Sequence, residues 1–179
     1  FSEKENSDKS IEFYSEAIKL MEQVSDFQGM ARSFNNVGTV YYYQGNLQKA
    51  IESYNKSIEI REQIGDFDGI ANNYLNIGVL YTDQGKFDLA IDSYLKALKL
   101  KEEINDKVGI AHCYNNIGNL HAEQNSPKKA IEYYLKALEI RENIDDKEGI
   151  SGCYTNIGAT YSELGQHDKA LEYFQKAIP

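Results

Sequence analysis

We predict an all-α solenoid of antiparallel helix pairs from three features of this sequence. The chain repeats every 40 residues without insertions, each period holds two stretches with helical spacing of apolar residues, and glycine or asparagine separates the two stretches. Repeats of this kind bury their apolar faces only by stacking on their neighbours. The period is clearest in one asparagine, one glycine and one alanine per repeat: Asn36, Asn76, Asn116, Asn156; Gly38, Gly78, Gly118, Gly158; and Ala50, Ala90, Ala130, Ala170.

The first helix of each repeat is marked by apolar residues at helical spacing. In the first full repeat this pattern predicts a helix over about 28–43. Gly45 follows, and glycine supports the left-handed backbone that ends many helices. Asn125 takes the same position in the third full repeat, and Ser126 and Pro127 after it form a helix start with serine as the cap.

The second helix is predicted over about 47–64 in the first full repeat, with an apolar stripe that includes Ala50 and Tyr54. Its charged outer face is a solvated one. Asp66 then serves as the N-cap of the next helix. Gly69 follows three residues later, and we expect a close backbone approach to the preceding helix there, because glycine is costly inside a helix.

The repeat boundaries make the whole chain, residues 1–179, one array of nine helices. The first 26 residues match a second helix alone. The predicted units are therefore a half repeat over 1–26 and full repeats over 27–66, 67–106, 107–146 and 147–179.

Composition and charge exclude several classes of function. The net charge of −9 argues against a nucleic-acid partner, because binding phosphates requires concentrated lysine and arginine. No apolar stretch is long enough to span a membrane. Cys113 and Cys153 lie one period apart on helices spaced roughly 8–10 Å, too far for a disulfide. They favour a reducing compartment such as the cytoplasm, with the periplasm open if a leader was removed.

The repeat resembles the tetratricopeptide (TPR) signature over essentially the whole chain. His121 departs from it by replacing a tyrosine, and Glu62, Glu102 and Glu142 stand where the usual, shorter repeat ends in proline. The longer form is similar to the repeats of kinesin light chains, LGN-type adaptors and bacterial peptide-pheromone receptors. The resemblance implies a right-handed superhelix whose inner surface holds an extended peptide through asparagines. The matching residues are Phe34, Val37, Gly38, Tyr41, Ala50, Tyr54, Ser57; Tyr74, Ile77, Gly78, Tyr81, Ala90, Tyr94, Ala97; Tyr114, Ile117, Gly118, Ala130, Tyr134, Ala137; and Tyr154, Ile157, Gly158, Tyr161, Ala170, Phe174, Ala177.

A second stripe runs along each first helix, away from the aromatic one, and we call it the asparagine stripe. Only its asparagine is the same in all four repeats. This is expected if the asparagine binds the backbone of a peptide ligand and the variable residues around it recognise the ligand's side chains. A carboxamide can both donate to and accept from a peptide link. The stripe residues are Arg32, Asn36, Thr39, Tyr43; Asn72, Asn76, Val79, Asp83; His112, Asn116, Asn119, Glu123; and Gly152, Asn156, Ala159, Glu163.

The alternative for these asparagines is that they only tie adjacent helices together. The charge of the stripe also limits which ligands can bind. The stripe has one cation, Arg32, and three carboxylates, Asp83, Glu123 and Glu163. A neutral or mildly basic peptide fits such a surface, with Tyr42 and Tyr43 as candidate aromatic anchors.

Catalysis, metal binding and cofactors are not predicted. His112 and His121 lie on opposite sides of one helix, far from His167, so no zinc spacing exists. Each glycine stands singly, which is unlike a phosphate-binding loop. Cys113 beside His112 is no nucleophile pair, because successive side chains on a helix point about 100° apart.

We therefore predict a protein- or peptide-binding scaffold. One alternative is a sensor or regulatory segment of a larger signalling protein such as a bacterial histidine kinase or transcription regulator. Phe1 in place of methionine, and the lack of a polar capping helix before Pro179, are what a fragment would show. A third alternative is a structural module that stacks end to end through the Phe174 face.

Overall fold

The computed structural model describes residues 3–178, and the side chains of residues 7–178. Within that range the chain forms nine α-helices and no strand, which confirms the all-α solenoid. None of these helices combines the length and apolar character that crossing a membrane requires. The helices are α1 Glu3–Gln23, α2 Phe27–Tyr43, α3 Leu47–Ile64, α4 Phe67–Asp83, α5 Phe87–Glu103, α6 Lys107–Glu123, α7 Pro127–Asn143, α8 Lys147–Glu163 and α9 His167–Ala177.

The helices group into two compact units, Phe1–Lys86 and Phe87–Pro179. In the first unit α1 packs on α2, α2 on α3 and α3 on α4; in the second, each of α5 to α8 packs on the helix that follows it. Within each unit this is the predicted order of first and second helices. One array over residues 1–179 stays a prediction.

One residue with left-handed backbone lies in each turn between successive helices. Gly45, Gly85, Asn125 and Gly165 occupy the turn after each first helix, and Asn125 has a φ of 55°, as predicted from its tolerance of this conformation. The turns after α1, α3, α5 and α7 also contain a left-handed residue: Ser25, Gly65, Asn105 and Asp145. Ser126 stands at the N-cap position, but its side chain makes no capping bond, so that part of the prediction was wrong.

Glycine and tyrosine make the closest contact between the two helices of a repeat. A β-carbon built on Gly38 would lie 2.7 Å from the ring of Tyr54, which is 2% exposed. Real side chains do not approach so closely, so any larger residue at position 38 would push the helices apart. Gly118 and Tyr134 make the same contact in the third full repeat.

The histidine that departs from the TPR signature performs the tyrosine's packing role. His121 stacks on Tyr133 with ring centroids 5.4 Å apart, and Tyr161 stacks on Tyr173 at 5.5 Å in the next repeat. His121 is buried, and burial lowers the pKa of its imidazole. The ring therefore packs in its neutral form, which suits an aromatic stack.

A basic side chain near the end of three second helices pairs with the aspartate that caps the next helix. Each aspartate also accepts a hydrogen bond from the backbone N–H three residues later, as the predicted N-cap role requires. The sequence spacing of five residues between the partners carried this signal, and our sequence analysis missed it. The N–O distances are 2.6 Å for Arg61–Asp66, 2.9 Å for Lys101–Asp106 and 2.9 Å for Arg141–Asp146.

These ion pairs explain the glycine at the start of the three first helices that follow them, Gly69, Gly109 and Gly149. A β-carbon on Gly149 would collide with the guanidinium of Arg141 and the carboxylate of Asp146. We expected a close backbone approach here, and that prediction was wrong, because the space is taken by side chains of the preceding turn.

We predict that Gly149→Ala lowers the free energy of unfolding by about 1–3 kcal/mol, because the new methyl group displaces the Arg141–Asp146 pair. Gly152→Ala, on the same helix, is the matched control. Its β-carbon meets open space, and alanine favours the helix, so this variant should gain about 0.5–1 kcal/mol. Urea denaturation followed by circular dichroism measures both. Equal stability of the two variants would contradict the collision.

We predict that Asp106→Asn destabilises the protein by about 1–3 kcal/mol at neutral pH. Asparagine retains the N-cap, but the ion pair of Asp106 with Lys101, whose side chain is 5% exposed, is lost. The control Asp92→Asn breaks an exposed pair with Lys96 and should cost less than about 1 kcal/mol.

The same variant has a predicted pH dependence. Burial alone would raise the pKa of Asp106, but the Gly109 N–H and the Lys101 ammonium together hold that pKa below its ordinary value. The stabilisation is therefore complete above the ordinary pKa and is lost as the pH falls through the lowered one. Denaturation at decreasing pH should show wild type and Asp106→Asn converging in acid. A stability difference independent of pH would refute this.

Candidate functional site

The asparagine stripe lies on the accessible face of each first helix, as predicted. Asn36 is exposed, whereas Asn76, Asn116 and Asn156 are half-buried. The other stripe positions are exposed except for Thr39, which is half-buried: Arg32, Tyr43, Asn72, Val79, Asp83, His112, Asn119, Glu123, Gly152, Ala159 and Glu163.

Two of the stripe asparagines form hydrogen bonds to the neighbouring first helix. Asn76 donates from Nδ2 to Oδ1 of Asn35 at 3.2 Å, which joins α4 to α2. Asn156 donates in the same way to Asn115 at 2.8 Å, which joins α8 to α6. These bonds give both residues the helix-tying role that the sequence left open as an alternative. Ligand contact stays a prediction.

Two of the predicted sequence-reading residues have structural partners inside their own repeat. The hydroxyl groups of Thr39 and Tyr54 are 3.1 Å apart, and Asn119 accepts a hydrogen bond from Tyr134 at 2.8 Å. Both tyrosines are almost fully buried, so these contacts satisfy their hydroxyl groups. No consistent sequence signal marks these contacts, because the second full repeat combines Tyr94 with Val79 at the stripe position.

The two candidate aromatic anchors, Tyr42 and Tyr43, differ in how far their side chains are held by other residues. Tyr42 donates a hydrogen bond to Asp83 at 2.6 Å, and this bond raises the pKa of Tyr42 to about 12. Tyr43 packs beside it, with ring centroids 5.3 Å apart, and is 80% exposed. Tyr43 therefore offers an accessible ring at the end of α2, held near a fixed neighbour.

A pocket of about 570 Å³ opens on the stripe between α6 and α8. Val108, His112 and Asn115 line it from α6, and Gly152 and Asn156 line it from α8. Partial burial and the nearby Arg141 cation lower the pKa of His112, so this imidazole is neutral at physiological pH. The pocket was not predicted from the sequence, although the glycine at this stripe position indicated that a side chain is missing there.

The groups weighed for chemistry are separated or buried. Cys113 and Cys153 are free and buried, and burial raises the pKa of Cys113 to about 12, which suppresses its thiolate. His112 is exposed, whereas His121 lies in the core. Among the described residues, no group of three or more histidine, cysteine, aspartate or glutamate side chains could hold a metal ion. The absence of catalysis stays a prediction.

Stacked antiparallel helix pairs with left-handed turns, and a polar stripe on the first helices, define a helical-repeat protein. The tetratricopeptide-repeat family model matches residues 2–63, 69–143 and 128–179, and the chain belongs to that family. The predicted resemblance is thus confirmed. No curated protein matches the chain significantly.

Solved structures share the fold at low sequence identity. BtubC (BKLC) from P. vanneervenii is 24% identical with a TM-score of 0.83, and the match covers 96% of this chain and 72% of that one. The apo form of RapI is 24% identical with a TM-score of 0.83, covering 97% and 48%. A Rap protein complexed with Competence and Sporulation Factor is 21% identical with a TM-score of 0.79, covering 98% and 49%. This chain therefore spans about half the length of the Rap proteins.

Proposed function

We propose that this chain is a protein-binding scaffold that holds an extended segment of its partner along the asparagine stripe. The observation that carries the proposal is the hydrogen bonding of the side-chain amides of the stripe asparagines. Asn76 and Asn156 each use one N–H on the neighbouring helix, and within the described residues their Oδ1 atoms accept no hydrogen bond. Each amide is therefore oriented, with an acceptor and a second N–H left for a ligand.

The spacing of the stripe suits an extended chain. Adjacent first helices in such packing lie roughly 8–10 Å apart, and an extended peptide advances about 3.3 Å per residue. One asparagine would then meet about every third residue of the ligand. The side chains of the ligand residues between these contacts would meet the variable stripe positions. The asparagines would then bind the ligand backbone, and the variable positions would select its sequence.

The charge of the stripe favours a neutral or mildly basic segment. Asp83, Glu123 and Glu163 are exposed there, and Arg32 is its cation. An acidic ligand would meet net repulsion along most of this face. Tyr43 supplies an accessible aromatic contact at one end.

A Rap protein has been solved in complex with a named factor, which supports partner binding by this architecture. Because the present chain spans about half of the Rap proteins, a regulatory segment of a larger signalling protein is a second candidate. The full-length sequence distinguishes the two: a kinase or DNA-binding region next to the repeats would favour the regulatory role.

The test of the proposed function separates ligand contact from helix tying. Peptides of about 12 residues are selected from a random displayed library and measured by fluorescence anisotropy; at roughly three residues per first helix, this length is enough to pass the two first helices of one unit. We predict that Asn76→Ala weakens binding by about 5- to 10-fold, since one or two hydrogen bonds to the ligand are lost. Adding Asn116→Ala should weaken it further.

Asn35→Ala is the matched control, because it removes the same inter-helix hydrogen bond from its other side. It should change affinity by less than about 2-fold while lowering stability as much as Asn76→Ala does. Equal losses of affinity in both variants would show that Asn76 acts only by tying helices. Unchanged binding in the Asn76→Ala, Asn116→Ala double variant would refute the proposal.

Self-association through the last helix stays a prediction, and exposed apolar residues in and just after α9 favour it. Leu171 is 59% exposed and Ile178 is 72% exposed, whereas Leu138, the counterpart of Ile178 in α7, is 7% exposed, and α7 is covered by α8. If copies stack on this face, Leu171→Glu should lower the sedimentation-derived mass at high protein concentration. A monomer mass for both the wild type and the variant would contradict stacking.

A further inference from the structure

The pocket between α6 and α8 exists because one stripe residue has no side chain. Gly152 occupies the position held by Arg32, Asn72 and His112 in the other repeats. A β-carbon built on Gly152 would meet no atom within 4 Å. The volume of about 570 Å³ falls within the range of about 300–1,000 Å³ that is usual for ligand pockets. The missing side chain therefore leaves this part of the stripe open.

The first unit shows what a side chain does at this position. In α4, Asn72 donates from Nδ2 to a carboxylate oxygen of Asp68 at 3.2 Å, one helical turn earlier. Glu148 is the counterpart of Asp68 in α8, and Gly152 has no side chain to reach it. Within the described residues Glu148 has no hydrogen-bonding or ion-pair partner, and it lines the pocket. A donor from outside the chain can take the place that Asn72 holds in the first unit.

The other charges around the pocket are already balanced. Arg141 and Asp146 also line it, and they form an ion pair at 2.9 Å. The lowered pKa of His112 leaves that ring neutral. Glu148 also lines a neighbouring cleft together with Lys147 and Lys176, and there Lys176 pairs with Glu172 at 2.6 Å. The uncompensated charge in the pocket is therefore negative.

The walls suit a long side chain with a charged end. Val108 is 46% exposed and contributes an apolar surface, along which the methylene stem of a lysine or arginine can lie. Asn156 stands at the edge of the same pocket and offers its free amide oxygen to the ligand backbone. We propose that this pocket selects the bound segment by receiving one lysine or arginine side chain, whose cation pairs with Glu148.

This inference rests on the proposed function and names the specificity of the same surface. Its test uses the fluorescent peptides selected from the random library. We expect the selected sequences to share a lysine or arginine at one position, and replacement of that residue by glutamine to weaken binding by about 5- to 10-fold. Glu148→Gln should weaken the basic peptide by a similar factor and leave the glutamine peptide unchanged, which is the coupling expected of a direct pair.

Gly152→Asn is the second variant, because it installs the arrangement seen in the first unit. The new amide can bond Glu148 and close the pocket. The space around Gly152 is open, so the variant should fold normally, and circular dichroism checks this directly. It should weaken the basic peptide by about 10-fold or more. Asp68→Asn is the matched control, since Asn72 already satisfies that carboxylate, and should leave affinity within about 2-fold.

The outcomes separate this inference from the proposed function. If peptides are selected and Asn76→Ala weakens them, but Glu148→Gln and Gly152→Asn do not, the pocket inference is wrong and the scaffold stands. If selected peptides prefer an acidic or apolar residue next to Asn156, the assigned charge is wrong. If no peptide is selected, both proposals fall.

Discussion

The structure depends on the close packing of an aromatic ring against a glycine within the helix pairs α2–α3, α6–α7 and α8–α9. At Gly38 the Tyr54 ring fills the place where a side chain would stand, and Gly118 and Tyr134 repeat the contact. This packing keeps the two helices of a repeat close over their whole length. The asparagine stripe lies on another face of the first helix, where Thr39 and Asn119 contact the hydroxyl groups of the same two tyrosines.

A second interaction sets how one repeat follows another. The Arg141–Asp146 pair and its counterparts join the end of a second helix to the start of the next first helix, where the aspartate also caps the backbone. The amide bond from Asn156 to Asn115 then joins neighbouring first helices on the stripe side. An amide held in this way has lost much of its rotational freedom before any ligand arrives. Binding through it costs less entropy than binding through a free side chain.

Several parts of the candidate site could be foreseen from the sequence. The position of the stripe follows from helical spacing, and Asn125 could be assigned to a left-handed turn from its chemistry. The role of Thr39 could not, because it depends on the Tyr54 hydroxyl reaching across from the second helix. Glycine at position 149 was expected to allow close backbones, whereas the ion pair of the preceding turn fills that space. Periodicity marks which residues repeat, but it does not say which side chain occupies a gap.

By itself the sequence determined the helix pairs, their turns and the family, because local spacing, capping residues and left-handed turn residues act over short stretches of chain. Only the tertiary structure decided how the stripe is used. It showed that Asn76 bonds to Asn35, that Tyr42 is held by Asp83, and that Gly152 opens a pocket beside Glu148. These features arise between helices that are about 40 residues apart in the chain, where the physical cause is packing geometry and not local propensity.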